Sequence, residues 1–214
     1  MSHVTQAENF NQRVQLDLLF VGDFIILHLC DECTRFSMAE IIDSKDPTDI
    51  LPAIKRAWIK YFGVPQLFVS DSEGALSSEE AAIWAERLGT SFKLLPKNTH
   101  ATTVERHHET LRQLIHRIAA QLKLEGLPVN MQDVVSEAVV AKNSLLVING
   151  VTPYTAVLGR TPNLLGEYEK ASISALADDV GGVTSKHASR LREIAISSII
   201  EHTSKERVQR AQAS

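Results

Sequence analysis

Val14-Gln15-Leu16-Asp17-Leu18-Leu19-Phe20 decides the fold of this chain. From Leu16 to Phe20 every residue except Asp17 is apolar, which is the pattern of a central strand buried on both faces. An unpaired carboxylate in such a strand is costly, and a bound metal ion removes that cost, so Asp17 reads as functional and not as a surface acid. Two more strand-like segments follow at residues 24–29 and 35–42, set off from residues 13–21 by Gly22-Asp23 and by Cys30-Asp31-Glu32-Cys33-Thr34. The three read as an antiparallel meander.

Asp46-Pro47-Thr48-Asp49 opens a helix expected to reach about Phe62, with Ile50, Ile54, Ala57, Trp58 and Tyr61 on its buried side and Gly63-Val64-Pro65 as its stop. Residues 66–70 form a short apolar strand after that helix, so they lie parallel in the same sheet and complete a β-α-β crossover. Asp71 then falls at the carboxyl end of the strand, where open α/β sheets place their ligands. Ser77-Ser78-Glu79-Glu80 is a capping box for a helix ending at Gly89, and a further strand lies near residues 91–95. A long helix over residues 102–123 buries Val104, Leu111, Ile115, Ile118 and Leu122. Glu105, His108, Arg112 and His116 take an adjoining polar face. Asn130 caps another helix, to about Val147. Residues 185–212 read as a basic amphipathic helix with Leu191, Ile194, Ala195, Ile199 and Val208 to one side. The organisation expected is a tail at 1–9, a core at 10–165, a linker at 166–184 and the basic helix at 185–214.

Asp17, Asp71 and Glu105 thus stand on a strand, just past a second strand and on a helix, with 53 and 33 residues in the two gaps. Carboxylates converging from three elements make a cage for hard divalent cations, which is the chemistry of phosphoryl transfer. The chain has 214 residues, 44% of them hydrophobic, and a net charge of −4, an awkward balance for a protein that would grip phosphates. The charge is uneven, however. From Arg106 to Lys123 there are four basic residues (106, 112, 117, 123) against the single acid Glu109. From Thr184 to Ser214 there are six (186, 190, 192, 205, 207, 210) against three (193, 201, 206). No run of 18 apolar residues occurs and the N-terminus is polar, so an intracellular protein without a membrane span is expected. Cys30 and Cys33, the two cysteines, have no second Cys or His pair at ligand spacing and read as reduced thiols sooner than as zinc ligands.

Thr103-Val104-Glu105-Arg106-His107-His108-Glu109-Thr110-Leu111 resembles the V-E-R-x-H-x-x-L stretch around the catalytic glutamate of retroviral and LTR-retrotransposon integrases. Asp31-Glu32-Cys33-Thr34-Arg35 is similar to their D-x-x-[ST]-R turn. Gly150-Val151-Thr152-Pro153 and Gly159-Arg160-Thr161-Pro162 are similar to the G-x-[ST]-P and G-R-x-P tail of LTR-retrotransposon cores. The resemblance covers roughly residues 10–165. It implies an RNase H-like α/β fold with a five-stranded mixed sheet, three strands antiparallel and two parallel, flanked by helices. It also implies a D, D, E triad of Asp17, Asp71 and Glu105 holding two Mg²⁺ or Mn²⁺ ions, with Asp17 bridging, Asp71 on one ion and Glu105 on the other. The activity implied is DNA 3′-end processing and strand transfer in the nucleus, by a homodimer or higher oligomer whose partners are element ends and target DNA. Arg106, His108, Arg112 and Arg117 are the candidate DNA contacts. His107 and His108 either orient the phosphate or the water, or pack. Asp31 reads as a turn residue, and Glu73 as a turn residue in preference to a further metal ligand.

Three departures stand out: Asp71-Ser72-Glu73-Gly74-Ala75-Leu76 in place of D-N-G-x-x-F, a second gap shorter than is usual in retroviral cores, and His100-Ala101-Thr102-Thr103 in place of H-P-x-x-N-G. Neither an H-x-H-x-C-x-x-C zinc domain nor a small C-terminal barrel is recognisable, so the chain reads as a core cut from a polyprotein, or as a decayed copy. The rival readings are a DDE transposase or RNase H-like nuclease, and an inactive or domesticated remnant that binds nucleic acid or protein.

Overall fold

Gly22, at φ 57, turns the chain within two residues, so that Val21 faces Phe24 and β1 (Arg13–Val21) pairs antiparallel with β2 (Phe24–Asp31) along its length. β3 (Ser37–Ile42) continues the meander on the far side of β2. On the other side of β1 lie β4 (Leu67–Asp71) and β5 (Phe92–Leu95), both parallel, giving the order β3-β2-β1-β4-β5. The sheet is the five-stranded mixed sheet that the sequence implied. This computed structural model describes residues 7–71, 75–95, 102–164 and 182–213, which pack as two units, one running to Arg112 and the other from Gln113. The expected linker at 166–184, most of the tail at 1–9, Glu73 and the 96–100 loop lie wholly or largely outside those residues.

In the first unit the helix expected over 46–62 is interrupted. α1 (Pro47–Ile54) holds Pro52 in its interior, a π-helical turn follows at Lys55–Ile59, and α2 (Lys60–Phe62) closes the segment. Pro52 has no N–H to give its own helix, and proline and π turns are the usual sources of such breaks. The wider turn changes which residues share a face: Ile50, Ile54, Ala57 and Trp58 are buried as expected, but Tyr61 is 61% exposed. Trp58 packs among Phe10, Phe36 and Phe62, and its Nε1–H donates to Asn11 Oδ1 at 2.8 Å. α3 (Glu79–Leu88) is capped by Ser78, which accepts from the Ala81 N–H, and not by Ser77, which belongs to the preceding 3₁₀ turn. Gly89 ends it in the left-handed conformation, at φ 73.

α4 (Thr102–Leu124) begins in the first unit and ends in the second. The second unit adds α5 (Met131–Leu145), capped by Asn130, then α6 (Pro153–Leu158) between Thr152 and Gly159, and α7 (Gly182–Ala213). α7 packs on α5, burying Leu191, Ile194, Ala195 and Ile199. Val208, expected on the same face, is 56% exposed. At 1.5 Å per residue α7 is roughly 48 Å long against about 22 Å for α5, so its far end outruns its partner.

Candidate active site

β4 accompanies β1 only along Arg13–Gln15, so Asp17 sits two residues past the last paired position, where one neighbouring strand has ended its ladder. That explains why Asp17 is half-buried, its side chain 32% exposed, and not sealed on both faces as the apolar run suggested. A half-open carboxylate can meet a cation or a phosphate without first unpacking the core. Its Oδ1 accepts from the Leu18 N–H at 2.7 Å, and His108 Nδ1 lies 3.5 Å from Oδ2. Across the antiparallel ladder Asp17 is paired with His28, whose ring packs on that of His108 with centroids 4.8 Å apart and whose Nε2 is 3.0 Å from Ser37 Oγ.

Glu105 stands on the first turn of α4. The N–H of Val104, one of the donors that a helix start leaves without an intrahelical acceptor, donates to Gln15 Oε1 on β1 at 3.1 Å. Val104 itself is buried against Cys30 of β2 and Leu95 of β5. Three residues after Glu105, His108 makes the approach to Asp17. The helix is therefore fastened to the sheet immediately before and one turn after Glu105, which is half-buried between the two fastenings. Asp71 ends β4 two residues beyond Val69, the last β4 residue paired with β1, as Asp17 lies two residues beyond Gln15 on β1. The Asp71 side chain lies outside what the structure describes. Among the described residues no group of three or more His, Cys, Asp or Glu side chains is close enough to hold a metal ion.

The other candidate residues separate clearly. Arg106 is exposed. Arg112, also at the surface, pairs with Glu109 at 2.8 Å, and Arg117 in the second unit donates to the Ser198 carbonyl at 3.3 Å. His107 and His108 are both buried, so His108 does not lie on a solvent-facing polar stripe with Arg112 and His116 as the helical spacing suggested. Its imidazole replaces an apolar side chain in the layer between α4 and the sheet. Asp31 is fully buried and accepts from the Thr34 N–H, the Thr34 hydroxyl and the Asn11 N–H, while Arg35 takes the positive φ of 64 that closes the turn. Cys30 and Cys33 are free thiols, the first buried.

Sequence reasoning passed over Gln15, Glu32 and His28. Gln15 is buried, and its Nε2 donates to Glu32 Oε2 at 3.2 Å while its Oε1 serves Val104. Strand alternation puts Gln15 on the face of Asp17, and a polar residue two before a functional acid in an apolar strand was the available signal. His28 was within reach by counting back from the two-residue turn at Gly22-Asp23.

No family model and no curated protein matches the sequence. Solved structures do. The catalytic core domain of BIV integrase superposes with a TM-score of 0.58 at 20% identity, over 70% of this chain and 95% of that one. The HTLV-2 integrase catalytic core domain in complex with magnesium, in its trimeric form, gives 0.57 at 16% identity, over 68% and 95%. A simian T-cell lymphotropic virus intasome in complex with PP2A regulatory subunit B56 gamma gives 0.62 at 18% identity, over 77% of this chain and 59% of that one. The fold is that of a retroviral integrase catalytic core.

Proposed function

We propose that this chain is an integrase-type polynucleotidyl transferase, acting on DNA ends through Asp17, Asp71 and Glu105. One observation carries the reading. Two independent contacts, Val104 N–H to Gln15 and His108 to Asp17, fix the first turn of α4 across β1 on either side of Glu105. Asp71 lies two residues beyond Val69 on β4, as Asp17 lies two residues beyond Gln15 on β1. Three carboxylates brought together would form an all-oxygen donor set suited to Mg²⁺ or Mn²⁺. When bound, two such ions activate a water or a 3′-hydroxyl and stabilise the leaving 3′-oxygen. The chain's own part is to hold the carboxylates in place. Leu18 N–H fixes one oxygen of Asp17, His108 stands beside the other, and the partial exposure of Asp17 leaves it open to substrate.

Arg106, exposed beside Glu105, is the first candidate to contact a DNA phosphate, with Arg112 next. His108 belongs to the Asp17 environment, and Arg117 is engaged with Ser198. Assembly as a homodimer, or a higher oligomer, is part of the proposal. It is supported by the dimeric and trimeric forms in which the HTLV-2 core was solved. The test is Mn²⁺-dependent disintegration of a branched DNA by the 214-residue chain. The expected product is the rejoined strand with release of the branch. A hairpin product would point to the transposase reading, hydrolysis alone to a nuclease, and the absence of any product to a remnant.

A further inference from the structure

We propose that Gln15 is a positioning residue for Glu105, acting as a cap supplied by the sheet to the helix that carries the glutamate; the inference rests on the function proposed above. A helix start exposes N–H groups that a neighbouring side chain ordinarily satisfies from the residue just before the helix. Here the acceptor comes from β1, 89 positions away in the chain, through Gln15 Oε1 at 3.1 Å from Val104 N. Both partners are buried, so the bond is shielded from solvent.

The orientation of the amide is dictated by its surroundings. Val104 N–H can only donate, so it requires the Gln15 oxygen. Glu32 Oε2, 3.2 Å from Gln15 Nε2, is a carboxylate oxygen that accepts. The reverse flip would oppose donor to donor and acceptor to acceptor. Glu32 is held in turn by the Ala7 N–H at 3.0 Å and by Arg13 at 3.4 Å. Ala7, Glu32, Gln15 and Val104 therefore form one hydrogen-bonded chain, and its last link ends on the residue before Glu105. Loss of that link leaves a buried N–H without its acceptor and frees the first turn of α4 to shift. A displacement of about 1 Å in a catalytic group can cost about a hundredfold in rate.

The experiment uses the full chain with three variants. Gln15→Met keeps the length of the side chain and removes both hydrogen bonds. Gln15→Glu keeps the acceptor for Val104 and sets two carboxylates against each other. Gln15→Glu combined with Glu32→Gln restores a donor and acceptor between the two side chains and keeps the acceptor for Val104. Amide exchange of Val104 is measured against Leu111 as an internal reference, together with kcat and KM for Mn²⁺-dependent disintegration. Gln15→Met should speed Val104 exchange by about tenfold or more with Leu111 unchanged, and should lower kcat by about tenfold to a hundredfold with KM for DNA unaltered. The double variant should recover most of the kcat lost in Gln15→Glu. Wild-type turnover with an unchanged kcat in Gln15→Met, or a double variant no better than Gln15→Glu, overturns the role given to Gln15. A wild-type chain with no Mn²⁺-dependent product overturns instead the function on which that role rests.

Discussion

Asp17 must be buried enough to be rigid and open enough to be reached, and the early end of the β1–β4 ladder gives it both properties. Asp17→Asn, Asp71→Asn and Glu105→Gln are each expected to lower disintegration turnover by more than about a hundredfold, since even residues one step removed from a metal cost 10–100-fold. Thermal melting in metal-free buffer should show each variant folded, and equal to or slightly above wild type, because removing one of several clustered like charges relieves repulsion. Any one of them turning over like wild type would leave the triad. Asp31 behaves differently. Burial pushes its carboxyl above the ordinary value of 3.8, against the lowering pull of the Thr34 and Asn11 N–H groups. A carboxyl raised in the fold contributes stability that is fully present below its unfolded value and is lost as pH rises through the raised one. Denaturant midpoints should therefore show wild type losing ground to Asp31→Asn as pH rises above the ordinary 3.8, with most turnover retained in the variant. A difference that does not vary with pH would remove the burial effect. Asp17 and Asp31 were legible because an acid within an apolar strand and a D-x-x-T-R turn are local patterns. Gln15 and His28 were legible only as positions, from a polar residue in an apolar strand and from the count across the Gly22-Asp23 turn, because their partners Glu32, Val104 and His108 lie across strands and on α4.

At the scale of elements, the sequence presents α7 as a basic helix suited to phosphates, whereas the structure shows two of its six cations, Arg190 and Arg192, engaged by carboxylates. Arg190 binds Glu125 through two hydrogen bonds and also Glu193, and Arg192 binds Glu137 in the same two-pronged way. The Arg190 guanidinium pulls the exposed Glu125 carboxyl down to about 2, so this pairing is present above the ordinary 4.5 and is lost as pH falls toward 2. The apolar side of α7 is buried in the second unit. Leu191→Ala and Ile199→Ala should each destabilise the chain by about 2–5 kcal/mol in denaturant titrations. Arg190→Ala and Arg192→Ala should leave the salt dependence of DNA binding as it was. A fall in the slope of about 0.9 for each arginine removed would return α7 to a role in DNA contact. The basic pattern was legible. Its acidic partners Glu125 and Glu137 lie more than 50 residues earlier, and pairing at that distance cannot be read from periodicity.

For the whole molecule, the order of elements together with the resemblance reached the architecture: a meander, a helix and two parallel strands admit few sheets once crossovers are required to be right-handed. Local interruptions such as the π turn after Pro52 escaped, since they alter which face a residue takes without altering the order. Light scattering at tens of micromolar should give the mass of a homodimer, the commonest closed assembly, and a strictly monomeric mass would contradict that part of the proposal. The apolar side of α5 is met by α7 of the same chain. Exposed residues of the second unit such as Leu124, 82% accessible, are therefore the better places to seek the contact. No helix of the described residues is long and apolar enough to cross a membrane. The convergence of Asp17, Asp71 and Glu105 on one metal site is tested most directly by anomalous diffraction from crystals of the full chain grown with Mn²⁺. The expected result is two manganese peaks, one bound by Asp17 and Asp71 and the other by Asp17 and Glu105; manganese bound elsewhere, or a peak from which Asp17 is missing, would contradict it.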